Sequence, residues 1–168
     1  YFSKYNHIWG WASWRRAWQH YDGDIKFWPE WRNSIAWLNY MPDKIERKEW
    51  EKIFDRVYDG QIDSWAYPWM ACLWYKDGFT ATPNVNLVSN IGFGVDATHT
   101  LYENDKNANH PTQELGEIIH SKEIKRDIEA DRYNFDNFFG GLNKRFPYNF
   151  IRLPQRIIKY CLKNLNFL

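Results

Sequence analysis

An acid stands among aromatic residues in the stretch Asp63-Ser-Trp-Ala-Tyr-Pro-Trp69. Asp63 or Ser64 is predicted to cap a helix there, since short polar side chains accept hydrogen bonds from the first N–H groups of a helix. Those N–H groups and the helix dipole stabilise a carboxylate as an anion. Asp63 therefore has two interpretations. It is a plain cap, which the sequence alone favours, or it is a general base on a rigid element beside aromatic residues.

Four tryptophans stand close together in the stretch Trp9-Gly-Trp-Ala-Ser-Trp-Arg-Arg-Ala-Trp18. Trp11, Trp14 and Trp18 recur at helical spacing, which predicts a helix over residues 11–21. Gly10 allows a close approach of the backbone where the loop enters this helix. Trp14 and Trp18 are expected to pack inward. For Trp9 and Trp11, contact with a ligand and burial in the core are equally open.

A third stretch, Pro83-Asn-Val-Asn-Leu-Val-Ser-Asn-Ile-Gly-Phe-Gly94, runs from a predicted strand into a glycine-containing loop. Beyond it, Asp96 and His99 stand three residues apart. Carboxylate and imidazole groups of this kind bind divalent metals. Polar residues at the surface of a loop are the commoner explanation of so short a pair.

The composition limits the classes to which the protein can belong. The chain has 11 each of Trp, Tyr and Phe, yet its mean hydropathy is −0.72, so aromatic residues alternate with polar ones. Such rings suit a core, and they equally suit a surface that stacks on sugars. The net charge of +1 provides no overall field for nucleic acid, and no nucleic-acid partner is predicted. Two cysteines without a Cys-x-x-Cys pair exclude a disulfide framework and argue against a thiolate zinc site.

The sequence contains no secretory signal and no apolar run of about 18 residues, the length that a membrane-spanning helix needs. The two cysteines, which form no disulfide framework, make a reducing compartment the expectation. The first residue is Tyr1 rather than Met, and we expect the chain to be a piece of a longer protein.

The pattern of apolar residues predicts an α+β fold, with a helix-rich N-terminal portion and a small sheet after residue 79 that involves residues 85–90. Helices are predicted over residues 11–21, 29–40, 43–58, 65–76, 128–139 and 154–165, and strands over residues 79–82, 85–88 and 115–119. Residues 101–112 are polar, and a loop is predicted there.

The C-terminal residues 137–168 are basic, with no acid and a net charge of +6 that leaves −5 for residues 1–136. The last predicted helix is both basic and amphipathic. It is interpreted either as a helix that docks on the core with a solvated face, which we favour, or as a contact with an anionic membrane surface.

The three stretches, together with Asp96-Ala-Thr-His-Thr100, resemble the C-terminal half of bacterial family 2-like glycosyltransferases. Members of this family are often labelled nucleotide-diphospho-sugar transferases, and some relatives carry a haemolysin-like label. The resemblance covers about residues 1–100 and implies part of a GT-A fold, a Rossmann-like α/β domain. Residues 1–100 are thus expected to form the acceptor-side half of such a domain, and residues 101–168 a C-terminal extension.

The resemblance also implies roles for individual residues. Asp63 lies where the family has its catalytic base, and His99 lies where many of these enzymes bring a histidine to the metal. The acceptor-binding candidates are Trp9, Trp11, Trp65, Trp69, Asn86 and Asn90.

The implied activity is transfer of a sugar from a nucleotide-sugar donor to a hydroxyl of a glycan or lipid-linked acceptor. We expect the intact enzyme to use a divalent metal, Mn²⁺ or Mg²⁺. This part alone is expected to hold none and to be inactive without the donor-binding half. The implied location is the cytoplasm, with peripheral contact at the inner face of the membrane. The alternative from a different class is a non-catalytic module that binds carbohydrate or a partner through an aromatic cleft.

Overall fold

The structure, a computed structural model, describes residues 1–94 and 108–151. Its helices are α1 (Arg15–Trp18), α2 (Trp28–Arg32), α3 (Ile35–Tyr40), α4 (Lys44–Tyr58), α5 (Ala66–Tyr75), α6 (Ile128–Asn137) and α7 (Tyr148–Ile151), with a 3₁₀ turn at Leu142–Lys144. Its strands are β1 (Phe2–Ser3) and β2 (Thr80–Ala81). The fold is therefore helix-rich α+β with a small sheet, as predicted. No helix within the described ranges is both long and apolar enough to cross a membrane.

The chain forms two compact units, each built from two separate segments. Unit 1 comprises Tyr1–Tyr21 and Trp69–Ile128, and unit 2 comprises Asp22–Pro68 and Glu129–Leu168. The boundary predicted near residue 100 and the helix predicted over residues 154–165 lie outside the described residues.

The sheet of unit 1 joins β1 to β2 in antiparallel register, with Phe2 opposite Ala81 and Ser3 opposite Thr80. The strand predicted over residues 79–82 is confirmed, but its partner lies near the start of the chain. The prediction that residues 85–90 join the sheet is wrong. Asn86 explains why, because its Oδ1 accepts from the N–H of Val88 at 3.3 Å, and such local bonds compete with a strand ladder.

The strand predicted over residues 115–119 is also absent from the described residues, which have no regular structure there. Its apolar side chains are open to solvent, since Ile118 is 62% and Ile119 is 88% exposed. An alternating pattern becomes a strand only where one face is buried, and this segment has no such face.

The tryptophan-rich helix of unit 1 is much shorter than predicted, because only Arg15–Trp18 is helical. Gly10 has a φ of +62°, and Trp14 precedes α1 in an extended conformation without a side-chain cap. Trp14 is 69% exposed, so the prediction that it packs inward is wrong. Trp18 is 40% exposed although it contacts other rings.

In unit 2, the single helix predicted over residues 29–40 is divided into α2 and α3. Pro29 lies in the first turn of α2, where its fixed φ and missing N–H are tolerated. Ser34 separates the helices because its Oγ accepts from the N–H of Trp37 at 3.2 Å and caps α3.

Helix α4 forms as its apolar spacing and flanking residues predict. Asp43 caps it, since Oδ1 accepts from the N–H of Ile45 at 2.9 Å and of Glu46 at 3.2 Å. Its buried face carries Trp50, Phe54 and Val57. The helix ends just before Gly60, whose φ of +69° suits glycine.

Aromatic rings form the core of unit 2. Trp28, Trp37 and Phe54 are at most 1% exposed, and the Trp28 ring lies 5.1 Å from both of the others in edge-to-face geometry. Helix α4 supplies the polar partners of the indoles. Trp28 Nε1–H donates to Asp55 Oδ1 and Trp37 Nε1–H donates to Glu51 Oε1, each at 2.9 Å. The indole N–H groups of Trp28 and Trp37 are thus satisfied by carboxylates one turn apart.

An ion-pair group closes the C-terminal side of unit 2. Arg145 Nη2 lies 2.6 Å from Asp43 Oδ2, and Arg145 Nε lies 2.7 Å from Asp136 Oδ1. Burial alone would raise the pKa of Asp43, but hydrogen bonds from Arg145 and from the first N–H groups of α4, with the charge of Arg145, lower that pKa overall. The same network raises the pKa of Arg145 above its ordinary value, against the opposing effect of burial.

Candidate binding site

Trp69 is the centre of an aromatic cluster in unit 1. Its ring lies 4.8 Å from that of Trp18, 6.2 Å from that of Trp11 and 6.4 Å from that of Tyr21. Trp18 and Tyr21 stack on each other at 4.7 Å with nearly parallel planes. Trp69 is only 2% exposed, because these rings pack around it. Its contact with Trp18 joins α1 to the Trp69–Tyr75 part of α5.

A pocket of about 350 Å³ lies beside this cluster, within unit 1. Trp69, Cys72, Leu73 and Lys76 line it from α5 and its C-terminal turn, at the i, i+3, i+4 and i+7 spacing of one helical face. The opposite side is lined by Arg16, Ala17 and His20, and Gly78 completes the lining. The pocket therefore has an apolar wall and three side chains that donate hydrogen bonds.

The charge of the pocket is of one sign, because its lining contains Arg16 and Lys76 but no acid. The guanidinium carbon of Arg16 lies 5.0 Å from the centre of the Trp14 ring, and Lys76 Nζ lies 5.4 Å from the centre of the Tyr75 ring. Cation–π contacts of this kind hold a charged group in place while leaving its hydrogen-bond donors available.

A second aromatic surface of unit 1 forms where Trp9-Gly-Trp11 meets the stretch from Val88 to Phe93. The Trp9 ring lies 5.8 Å from the Phe93 ring, edge to face, and Trp9 is 43% exposed. A Cβ placed on Gly10 would clash with the side chain of Val88. Gly10 is thus needed both for its positive φ and for this close approach. Two of the stretches that carry the resemblance are in contact here.

The two asparagines predicted to bind an acceptor are engaged within unit 1. Asn86 Nδ2 donates to the carbonyl oxygen of Pro111 at 2.9 Å, while its Oδ1 accepts from Val88. Asn90 Oδ1 accepts from the N–H of Gly92 at 2.9 Å. These bonds shape the loop and fix it to the segment that follows residue 108.

Asp63 and Trp65 belong to unit 2, and both are exposed. The contact expected of an N-cap is made by Ser64, whose Oγ accepts from the N–H of Ala66 at 3.3 Å. Within the part of the chain that the structure describes, no hydrogen bond or ion pair engages the Asp63 carboxylate. Of the two capping residues that the sequence left open, Ser64 is therefore the one observed, and the role of Asp63 as a base stays a prediction.

The predicted metal ligand His99 and its neighbour Asp96 lie outside the described residues. Across residues 1–94 and 108–151, no three His, Cys, Asp or Glu side chains form a group that could hold a metal ion.

Sequence reasoning missed the pocket-lining residues Arg16, His20, Leu73 and Lys76. One signal was present, since the spacing of Trp69, Leu73 and Lys76 places them on one face of the predicted helix. Nothing in the sequence indicated that this face would lie against the short helix α1, because that contact depends on the tertiary packing of the tryptophans.

Searches of protein-family models, curated proteins and solved structures found no match to this chain. The glycosyltransferase family implied by the sequence resemblance is therefore a proposal.

Proposed function

We propose that this chain is the acceptor-side part of a GT-A glycosyltransferase, which moves a sugar from a nucleotide-sugar donor to a hydroxyl of a glycan or lipid-linked acceptor. The observation that carries the proposal is the packing of Trp9-Gly-Trp11 on Val88 and Phe93. Two of the three stretches on which the resemblance rests are thereby neighbours on one surface. A shared site would require this, whereas unrelated surface loops would not.

The acceptor sugar would stack on the exposed part of this surface. Trp9 is 43% exposed beside Phe93, and Trp11 is half-buried against Trp18 and Trp69. A tryptophan held by its neighbours loses little conformational entropy on binding, and it offers a flat apolar face to the C–H groups of a sugar. Trp9 and Trp11 are thus the proposed stacking residues. Trp69, which is buried, packs against Trp11 and helps to hold it in place.

The proposed chemistry is inverting transfer with Asp63 as general base. The carboxylate accepts the proton of the acceptor hydroxyl, and that oxygen forms a bond to the anomeric carbon as the bond to the diphosphate breaks. Asp63 is exposed and accepts no hydrogen bond from the described residues, so its lone pairs are available to a hydroxyl. A divalent ion, Mn²⁺ or Mg²⁺, would neutralise the departing diphosphate, and His99 is its proposed protein ligand.

Turnover of the full-length protein tests the role of Asp63. Asp63→Asn keeps the size and polarity of the side chain but removes the base, so the rate of sugar transfer should fall about 100-fold or more. Asp59→Asn is the matched control, because Asp59 is another exposed acid of unit 2, in the turn after α4. Near-normal transfer by Asp63→Asn would remove Asp63 from the mechanism.

The second candidate is a non-catalytic module that binds carbohydrate through the same aromatic surface. It is favoured by the fact that Trp9, Trp11 and Trp69 all lie in unit 1, so that stacking on a sugar needs no residue of unit 2. Glycan binding by the 168-residue chain should weaken on Trp9→Ala and not on Tyr133→Ala, which removes an exposed ring of unit 2. Binding without detectable transfer in the full-length protein would favour this candidate over the enzyme.

We also propose a location at the inner face of the cytoplasmic membrane, held by peripheral contact. Two exposed rings of unit 2 support it, since Phe146 is 79% and Phe150 is 63% exposed and their centres are 5.9 Å apart. They belong to the basic region 137–168, whose net charge is +6. Aromatic rings next to several cations are the combination by which peripheral proteins bind anionic lipid.

A further inference from the structure

We infer that the pocket of unit 1 binds an amphipathic phosphate ester, with the phosphate at Arg16, His20 and Lys76 and the apolar part against Trp69 and Leu73. Trp69 borders both this pocket and the proposed stacking surface, but the inference rests on Arg16, His20 and Lys76, which that surface does not use, and it does not depend on sugar transfer.

The size and the rigidity of the pocket suit a small ligand. Its volume of about 350 Å³ lies within the range of small-molecule sites, roughly 300–1,000 Å³. Its two sides are held together by the contact of Trp18 with Trp69, whose ring centres are 4.8 Å apart. The stack of Trp18 on Tyr21 braces the same side. A pocket fixed in this way costs little ordering when a ligand enters.

The wall of the pocket requires that the ligand have an apolar part. Trp69 and Leu73 line the pocket; Trp69 is buried and Leu73 is half-buried. Water at such a wall makes few hydrogen bonds, and its replacement by an apolar group is favourable. An inorganic anion alone would not displace the water from this apolar wall.

The charges at the rim require that the ligand also carry an anion. Arg16 and Lys76 both line the pocket, and neither forms an ion pair in the described parts of the chain. Asp77 follows Lys76 but does not line the pocket. By contrast, Arg32 and Arg145 of unit 2 both lie within 3 Å of a carboxylate oxygen. Arg16 and Lys76 are thus available to pair with an external anion.

A phosphate fits these donors better than a carboxylate. It offers three acceptor oxygens, and the pocket presents three donor side chains of which the arginine can bind two oxygens at once. The contact of Arg16 with the exposed Trp14 ring restricts the guanidinium of a residue that lines the pocket.

Titration calorimetry of the 168-residue chain with phenyl phosphate and with dihexanoyl phosphatidic acid, below its micelle concentration, tests this inference. At least one of the two should bind, more tightly than inorganic phosphate or phenol, and added salt should weaken the binding. Preference for phenyl phosphate would indicate a soluble aromatic phosphate, and preference for phosphatidic acid a lipid headgroup. Absence of binding by both, or equal binding of inorganic phosphate, would overturn the inference.

Two variants locate the site. Arg16→Met should weaken binding about 10-fold or more, because it removes a charge-assisted contact. Arg15→Met is the matched control, since Arg15 is the neighbouring cation on α1 and does not line the pocket. Leu73→Trp should block binding by filling the wall, with circular dichroism to verify folding. Equal loss in Arg15→Met and Arg16→Met would overturn the assignment to this pocket.

Discussion

Units 1 and 2 are both rich in tryptophan, but they use it differently. In unit 2, Trp28 and Trp37 are at most 1% exposed, and each indole N–H donates to a carboxylate of α4. In unit 1, Trp18 is 40% and Trp9 is 43% exposed although both contact other rings. The same residue type therefore builds a closed core through Trp28 and Trp37, and an open surface with a pocket beside it through Trp9 and Trp18.

The comparison teaches that aromatic content alone does not distinguish packing from recognition. A tryptophan whose N–H has a carboxylate partner on an adjacent helix is fixed on all sides and has no surface left for a ligand. A tryptophan that is held by other rings at one side only keeps a flat surface in contact with water. The partners of the ring, rather than its identity, separate the two roles.

The sharpest contrast should appear in the stability of tryptophan variants. Trp37→Ala should lower the free energy of unfolding by about 3–5 kcal/mol, because it leaves a cavity in the core of unit 2 and the Glu51 carboxylate without its indole donor. Trp14→Ala should change it by less than about 0.5 kcal/mol, since Trp14 is 69% exposed. Urea denaturation followed by circular dichroism measures both. Similar losses in the two variants would contradict the distinction between a closed core and an open surface.

Two glycines with positive φ give a matched test of the close packing in unit 1. Gly10→Ala combines the strain of the left-handed conformation, about 1–2 kcal/mol, with a clash against Val88 that adds roughly 1–3 kcal/mol. Gly60→Ala in unit 2 should show only the strain, because nothing lies within 4 Å of the added methyl group. Hydrogen exchange by mass spectrometry should place the larger loss in peptides of unit 1.

The double variant Gly10→Ala/Val88→Ala is the control for the clash. It should recover part of the stability that Gly10→Ala loses, beyond what Val88→Ala does alone. A lack of recovery would show that the contact of Gly10 with Val88 is not the source of the loss.

The sequence predicted those features that depend on neighbouring residues in the chain. Asp43, the apolar face of α4 and Gly60 together define that helix, and all three act locally. The partner of β2 could not be predicted, because the whole of α1–α5 lies between β1 and β2 in the chain. The pocket was missed for the same reason, since Arg16 and Lys76 line one pocket through the tertiary packing that brings Trp18 against Trp69.

Acid should weaken unit 2 through its ion-pair group. Since hydrogen bonds and the charge of Arg145 hold the pKa of Asp43 below its ordinary value in spite of burial, the stabilising contribution of Asp43 is present in full above the pKa of the unfolded chain. It is lost as the pH falls from about 4 through the folded pKa. Asp43→Asn keeps a helix cap but should reduce this dependence on pH, measured by urea denaturation between pH 3 and 7. An unchanged dependence would contradict the role of the pair.

The smallest expected effect concerns Phe146 and Phe150, two rings of unit 2 that are exposed and do not belong to its core. Sedimentation with vesicles that contain phosphatidylserine should retain the chain weakly, and Phe146→Ser should reduce the retained fraction by about 2- to 5-fold. Ile35→Ser is the control, because Ile35 is another exposed apolar residue of unit 2, 75% exposed, outside the basic region. Equal retention on vesicles of neutral lipid would exclude the electrostatic part of the proposed contact.

The indole hydrogen bonds of the two units also determine what nuclear magnetic resonance would observe. Each of the 11 tryptophans contributes one Nε1–H signal to a ¹⁵N–¹H spectrum. The signals of Trp28 and Trp37, bonded to carboxylates, and of Trp74, which donates to the carbonyl oxygen of Lys4 at 2.7 Å, should move downfield and exchange slowly with deuterium. Trp14 should exchange at once. These 11 indole signals would thus follow the opening of unit 1 and unit 2 separately, without assignment of the whole backbone.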